Sequence, residues 1–304
     1  MKPLGPVAAV DDRILQAIGL MCLYVALIVV VNAGGKVLTE SYHAFQIVLF
    51  RQGVAFLLMV ALFLPRHGWR ILVPKRPGLQ IVRGLFGIAS SVLYFIALAS
   101  VSLATAAAIS FTAPLAVTAL SAPLLGERVG LHRWAAVAAG FAGALIIIRP
   151  GFGGTVQGAA LLLVVSAGCS AMYQIITRKL AGQDHAETTN IWSGLVGSTA
   201  ICLMVPFVWQ TPGEAGNWAL FVSLGLFGGS AHYLLTKAFE RAPASLLSPF
   251  NYLHLLGAAA TGYLLFADVP DRWTWIGAAV IVAAGLYIAR RESRRRQAPR
   301  PGAG

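Results

Sequence analysis

The chain has 304 residues, of which 58% are hydrophobic and only 11% charged, and its mean hydropathy is +0.75. A soluble domain carries about 25% charged residues, so this composition excludes an ordinary soluble enzyme or binding module and points to an integral membrane bundle. The net charge of +12 then has to be explained by where the basic residues sit.

A hydrocarbon core about 30 Å thick is crossed by about 20 helical residues. The sequence predicts ten such runs, at 14–34, 42–64, 79–99, 104–125, 131–149, 156–177, 188–208, 217–238, 245–266 and 273–290. Short loops join them. The first run leads straight into a second, so it reads as a true span and not as a cleaved leader. The fourth and ninth runs are rich in small residues and proline.

With the N-terminus in the cytoplasm, 18 of the 23 Lys and Arg fall in inner loops and tails. Lys36, Arg149 and Arg272 fall outside, and Arg51 and Arg83 lie within helices. This bias follows the positive-inside rule and predicts that both termini are cytoplasmic. The tail RRESRRRQAPR (290–300) has the composition of a nucleic-acid patch. Beside a last span it reads instead as a topogenic segment near anionic lipid, and no nucleic-acid partner is expected. The loop WRILVPKRP (69–77) is a basic interfacial loop with a tryptophan anchor. Cys22, Cys169 and Cys202 all fall inside apolar runs without paired spacing, so they read as buried free thiols. No disulfide framework, metal site or cofactor is expected.

A shift of 141 residues superposes the two halves: Ala97 on Ala238, Leu124 on Leu265, Glu127 on Asp268, Trp134 on Trp275, and Leu145 on Leu286. The chain therefore reads as two copies of a five-helix unit. Five is odd, so the second copy enters the membrane upside down. Inverted repeats of this kind are the mark of secondary transporters working by alternating access. The expected fold is an all-α membrane protein of ten transmembrane helices in two inverted five-helix repeats. The expected division is a tail at 1–13, repeats at 14–150 and 155–290, and a basic tail at 291–304.

Two stretches carry a family resemblance. SFTAPLAVTALSAPLLGERVGLHRWAAVAAGFAGALIIIRPG (110–151) resembles the end of one EamA repeat, and APASLLSPFNYLHLLGAAATGYLLFADVPDRWTWIGAAVIVAAGLYIARRE (242–292) the end of a second. The pattern shows at Pro114, at the acidic residue before the last helix of each repeat (Glu127, Asp268), and at the tryptophan seven residues later (Trp134, Trp275). The resemblance, to the drug/metabolite transporter superfamily, covers about residues 14–290. It implies a central cavity between the halves, with helices five and ten at the periphery. It implies a multi-pass protein of the bacterial inner membrane that moves small organic metabolites. Segments 242–252 and 266–275 look most similar to carriers of riboflavin and S-adenosylmethionine. The alternatives are an exporter of amino acids, metallophores or drugs, or a flippase for a lipid-linked substrate.

All eleven acids lie in tails, loops or helix ends, so a carboxylate proton relay within the membrane is disfavoured. His43, His232 and His254 remain as titratable groups, each with a plain hydrogen-bonding role as the alternative. His43 is also placed to pair with Glu40. Arg51 lies about 13 Å into the second helix, at 1.5 Å per residue. There a charge costs about 3 kcal/mol or more unless it meets partners or water. Without an acid, it either faces a cavity and binds an anionic or carbonyl-rich solute, or clamps backbone carbonyls. Arg83, close to a helix end, is expected to snorkel.

The repeat aligns Arg51 with Trp192, and Ser110-Phe111 with Asn251-Tyr252. Candidate cavity residues are therefore Arg51, Tyr94, Phe111, Gln174, Trp192, His232, Tyr233, Asn251, Tyr252 and His254, with Tyr173 near them. Pro114 and Pro249, mid-membrane, are candidate gating residues because proline frees a carbonyl. Such an aromatic cavity with few polar groups suits a planar or amphipathic organic solute; core packing is the plainer role for each ring. Ala136, Gly140 and Ala144, spaced by four, form a small-residue strip for packing within the bundle or for a homodimer contact. An enzyme is not expected. There is no HExxH or GxSG-type site, and NAGGK (32–36) lacks the first glycine of a phosphate loop.

Overall fold

The computed structural model describes residues 6–126, 130–149, 155–180, 183–242 and 244–297. Among them the chain is helical, with no strand. Glu127 and the last residues of the basic tail lie outside the described residues.

The elements are α1 (Pro6–Thr39), α2 (Ala44–His67), a 3-10 turn (Trp69–Leu72), α3 (Pro77–Leu98), α4 (Leu103–Ser110), α5 (Ala113–Leu125) and α6 (Leu131–Ile148). The second half holds α7 (Thr155–Leu180), α8 (Ala186–Cys202), α9 (Ala215–Arg241), α10 (Ala244–Leu247), a 3-10 stretch (Ser248–Tyr252), α11 (Leu253–Phe266) and α12 (Arg272–Gln297). Among the described residues, nine stretches are long and apolar enough to cross a membrane. The predicted ninth run is the one missing, because it is broken: its longest helical piece, α11, has only 14 residues.

The two breaks obey the repeat. The fourth run breaks at Phe111–Thr112, between α4 and α5, and the shift of 141 carries Phe111 onto Tyr252, the end of the 3-10 stretch. The same shift carries Gly126 onto Ala267. Both cap their helices in the left-handed region, at φ 68° and 53°. Pro114 stands in the first turn of α5, where a missing N–H costs nothing, and Pro249 in the first turn of the 3-10 stretch, ahead of Tyr252.

The ends of each helix are fixed locally. Ser102 caps α4 by accepting from Thr105 N–H at 3.1 Å. His43 caps α2 by accepting from Phe45 N–H and packs its ring on Phe45; this is its role, and not a pairing with Glu40. Arg149 and Asp271 pair across the ends of α6 and α12. Burial acts to raise the Asp271 carboxyl, but hydrogen bonds from Thr274 and the Arg149 guanidinium outweigh it and hold it below its usual range.

The small-residue strip packs within the chain: a Cβ at Gly140 would overlap the Leu115 side chain of α5 and stand 3.4 Å from the Ala284 Cβ of α12. Along α6, Gly143 faces α12, where a Cβ would stand 2.8 Å from the Gly277 carbonyl oxygen. A Cβ at Gly277 would in turn overlap the Gly143 carbonyl. Two backbones this close leave no room for a side chain. Gly277→Leu is therefore expected to lower the unfolding midpoint in detergent by roughly 5 °C or more. An unchanged midpoint would contradict this packing.

Candidate functional site

Two chambers lie side by side inside the bundle, and Arg51 of α2 lines both. The larger, about 270 Å³, lies between α2, α3, α7, α8 and α9. The smaller, about 200 Å³, is reached from α1, α3, α4, α7 and α11. Ser90, Ser91 and Ser170 border both.

Arg51 reaches this position because α2 carries it next to glycine-lined α9, where Gly228 leaves room for its stem. Its Nη2 donates to Ser91 Oγ at 2.7 Å, and its guanidinium carbon lies 5.7 Å from the centre of the Phe95 ring. Its Nε is buried with no partner among the described residues, as is the Tyr94 hydroxyl. Among the described residues no Asp or Glu lines either chamber. The site thus presents a cation, a set of hydroxyls and amides, and aromatic walls, with no negative charge to balance Arg51.

The predicted residues divide. Arg51, Tyr94, His232 and His254 line the chambers. Asn32 and His254 Nε2 are hydrogen-bonded at 3.0 Å across the smaller one. Phe111 and Tyr252, aligned by the repeat, do meet, with ring centres 4.9 Å apart. Phe111 also packs on His254 at 6.1 Å, behind the wall of the chamber and not on it. Tyr252 turns its hydroxyl toward Gly285 of α12, which is peripheral packing, and its neighbour Asn251 borders neither chamber.

The remaining candidates sit elsewhere. Trp192 donates to Leu72 O at 2.9 Å and so ties α8 to the 3-10 turn; the chamber wall is formed by Asn190, Ser193 and Gly194 on its flanks. Gln174 points outward and contacts Ser170 at 3.4 Å. Tyr233 packs on Phe63 at 5.7 Å and borders a narrow cleft with Glu187 and Lys237. That cleft shares Asn190 with the larger chamber. Pro114 and Pro249 are exposed on the outside of the bundle, where they shape the breaks without touching the chambers.

Arg83 departs most from its sequence reading. It is 2% exposed and does not snorkel. Its Nε donates to Thr177 Oγ1 at 2.6 Å, Nη1 to Thr189 O at 2.8 Å and to Ser193 Oγ, and Nη2 to Tyr173 Oη at 2.5 Å. The guanidinium also lies 4.1 Å from the Tyr173 ring centre. Three hydroxyls and one backbone carbonyl, all from α7 and α8, supply the partners, so depth along α3 alone did not reveal the arrangement. Sequence reasoning also missed Gln52 and the serines. Each is a single weakly polar residue in an apolar run, and only the alignment of Ser90, Ser166 and Ser170 across α3 and α7 gives them meaning.

One face of the bundle is drawn shut. Lys36 Nζ, at the end of α1, pairs with Asp268 at 2.9 Å and donates to Val101 O at 2.7 Å, joining α1 to the loops after α3 and α11. Beside it, Phe50, Trp209, Trp218 and Phe221 form an aromatic cluster, and Gln46 exchanges hydrogen bonds with the Gln210 backbone.

A helical bundle with broken helices at repeat-related positions, enclosing a polar chamber around a buried arginine, defines a membrane carrier for small solutes. The comparisons agree. The EamA-like transporter family matches residues 15–149 and 157–290, and the chain belongs to that family, within the drug/metabolite transporter superfamily. It is 36% identical over 254 residues to a riboflavin transporter of Rhizobium johnstonii, covering 82% of each chain. It is 30% identical to an S-adenosylmethionine uptake transporter of Rickettsia felis, covering 83% of this chain and 85% of the other. A pseudopaline exporter of Pseudomonas aeruginosa is 27% identical, with 86% and 91% covered. A crystal structure at 22% identity aligns with a TM-score of 0.64 over 93% of this chain and 99% of that one, which shows the shared fold. The chain is thus a multi-pass membrane transporter of small metabolites.

Proposed function

We propose that this carrier moves a neutral or anionic aromatic metabolite of the flavin type, with Arg51 as its principal substrate contact. The observation that carries this reading is the unbalanced charge: a buried guanidinium whose Nε has no partner among the described residues, in chambers that no described carboxylate lines. A ring carbonyl or an anion completes that hydrogen bond. A cation does the opposite. At about 5 Å from Arg51 and an effective dielectric of about 20, its repulsion is about 3 kcal/mol, so a solute of net positive charge such as S-adenosylmethionine, whose sulfonium and ammonium outnumber its one carboxylate, is disfavoured. Riboflavin, the cargo named for the Rhizobium relative, fits this selection better than S-adenosylmethionine. Equilibrium binding of both compounds to the purified carrier tests it. Riboflavin is expected to bind at least ~100-fold more tightly, and the reverse order would overturn the reading.

The topology that fits is ten spans in the bacterial inner membrane with both termini cytoplasmic, the broken α10–α11 segment making the ninth. The Lys36 face is then the outer one, and the conformation is closed outward. Alternating access requires the Lys36–Asp268 contact to part. Asp268→Asn weakens it and is expected to raise several-fold the labelling of a cysteine placed at Ser110 by a membrane-impermeant reagent, in a background lacking the three native cysteines. Unchanged labelling would contradict this role.

A further inference from the structure

The two chambers differ in chemistry, and the difference specifies a ligand in two parts. The larger joins an apolar and aromatic surface (Phe56, Met59, Tyr173), bordered by Gly84, Gly87 and Gly194, to polar groups from Gln52, Asn190, Ser193 and His232. Such a site takes an aromatic ring that carries carbonyls and ring nitrogens. The smaller is lined by hydroxyls. In it Ser110 donates to Ala106 O at 2.7 Å, Ser166 to Ser90 O at 2.7 Å and Ser90 to Ser166 O at 2.9 Å. Each of these hydroxyls has spent its proton on a carbonyl, so its oxygen remains as an acceptor. Ser91 is the reverse: its oxygen accepts from Arg51, which leaves its proton to donate. The buried Tyr94 hydroxyl has neither bond made.

Acceptors and donors side by side in one small chamber match a chain of hydroxyl groups, since each hydroxyl is at once a donor and an acceptor. We propose that the smaller chamber is a polyol subsite. The ring of the solute lies in the glycine-walled chamber, its hydroxylated side chain enters the serine-lined one, and Arg51 holds the junction. This rests on the flavin reading and adds the orientation of the solute and the need for its chain. Together the chambers are of the size of small-molecule sites, roughly 300–1,000 Å³.

The test compares riboflavin with lumiflavin, which has the same ring with a methyl group in place of the ribityl chain. Quenching of flavin fluorescence on the purified full-length carrier gives both affinities. Wild type is expected to bind riboflavin about tenfold or more tightly than lumiflavin, the worth of about one to two hydrogen bonds. Tyr94→Phe removes one hydroxyl without changing the packing, and Ala167→Leu fills the smaller chamber, which Ala167 lines. Each is expected to weaken riboflavin about tenfold and to leave lumiflavin within about twofold. If both flavins weaken alike in both variants, or neither changes, the subsite is overturned while the flavin reading stands. If wild type binds neither flavin, the flavin reading fails and the subsite falls with it.

Discussion

Arg51→Ala is expected to weaken binding of the transported solute by roughly 10- to 100-fold, the worth of about 1.5–3 kcal/mol for a hydrogen bond to a charged group. The unfolding midpoint without ligand should change little. The reasons lie in the surroundings of the guanidinium. It makes one hydrogen bond to protein, to Ser91, and leaves Nε unpartnered, so its loss breaks little of the bundle. Removing it also relieves the cost of burying an uncompensated charge. A structural clamp would behave differently, with stability falling even when no solute is present. The measurement is thermal unfolding of wild type and variant with and without riboflavin. A large drop in basal stability, with ligand stabilisation preserved, would assign Arg51 to the fold.

Arg83→Met is the opposite case and the second large effect. Its guanidinium joins α3 to Thr177 and Tyr173 of α7 and to Thr189 and Ser193 of α8. Within membranes, single hydrogen bonds between helices contribute about 0.6 kcal/mol on average and up to about 1.7. Four of them at one buried centre are expected to cost about 2–4 kcal/mol when lost together. Tyr173 and Ser193 also line the larger chamber, so their release loosens its wall. Unfolding in detergent should show a clear loss of stability, and riboflavin binding should fall with it. A variant as stable as wild type would remove Arg83 from the framework of the fold. The two arginines thus separate by experiment a solute contact from a framework residue, where the sequence reading has Arg51 facing a cavity or clamping carbonyls and Arg83 snorkelling.

That separation marks where sequence ends and structure begins. The helical class and the repeat were legible because both are written in long-range patterns: apolar runs of membrane length and identities recurring at a fixed shift. The breaks followed as well, since Pro114 and Pro249 mark the segments where helix geometry fails. The prolines themselves face outward, because their effect is on the backbone and not through contact. Burial of Arg83 was not legible. It depends on hydroxyls from two other helices, each unremarkable in its own stretch. The same holds for the serine-lined chamber, whose members become a group only when α3, α4 and α7 are packed together. Trp192 misled for a related reason. Alignment with Arg51 fixes a level in the repeat, not the direction of a side chain, and its indole is drawn to the Leu72 carbonyl. NAGGK found its explanation in packing: Gly35 lies against the Phe95 ring, and Lys36 at its end closes one face of the bundle.

Counterflow in proteoliposomes tests the central claim most directly. Vesicles containing the wild-type carrier and loaded with unlabelled riboflavin should accumulate labelled riboflavin from outside, vesicles loaded with S-adenosylmethionine should not, and Arg51→Ala should abolish the exchange. Exchange driven by S-adenosylmethionine and retained in Arg51→Ala would show that the unbalanced charge of Arg51 does not select the solute.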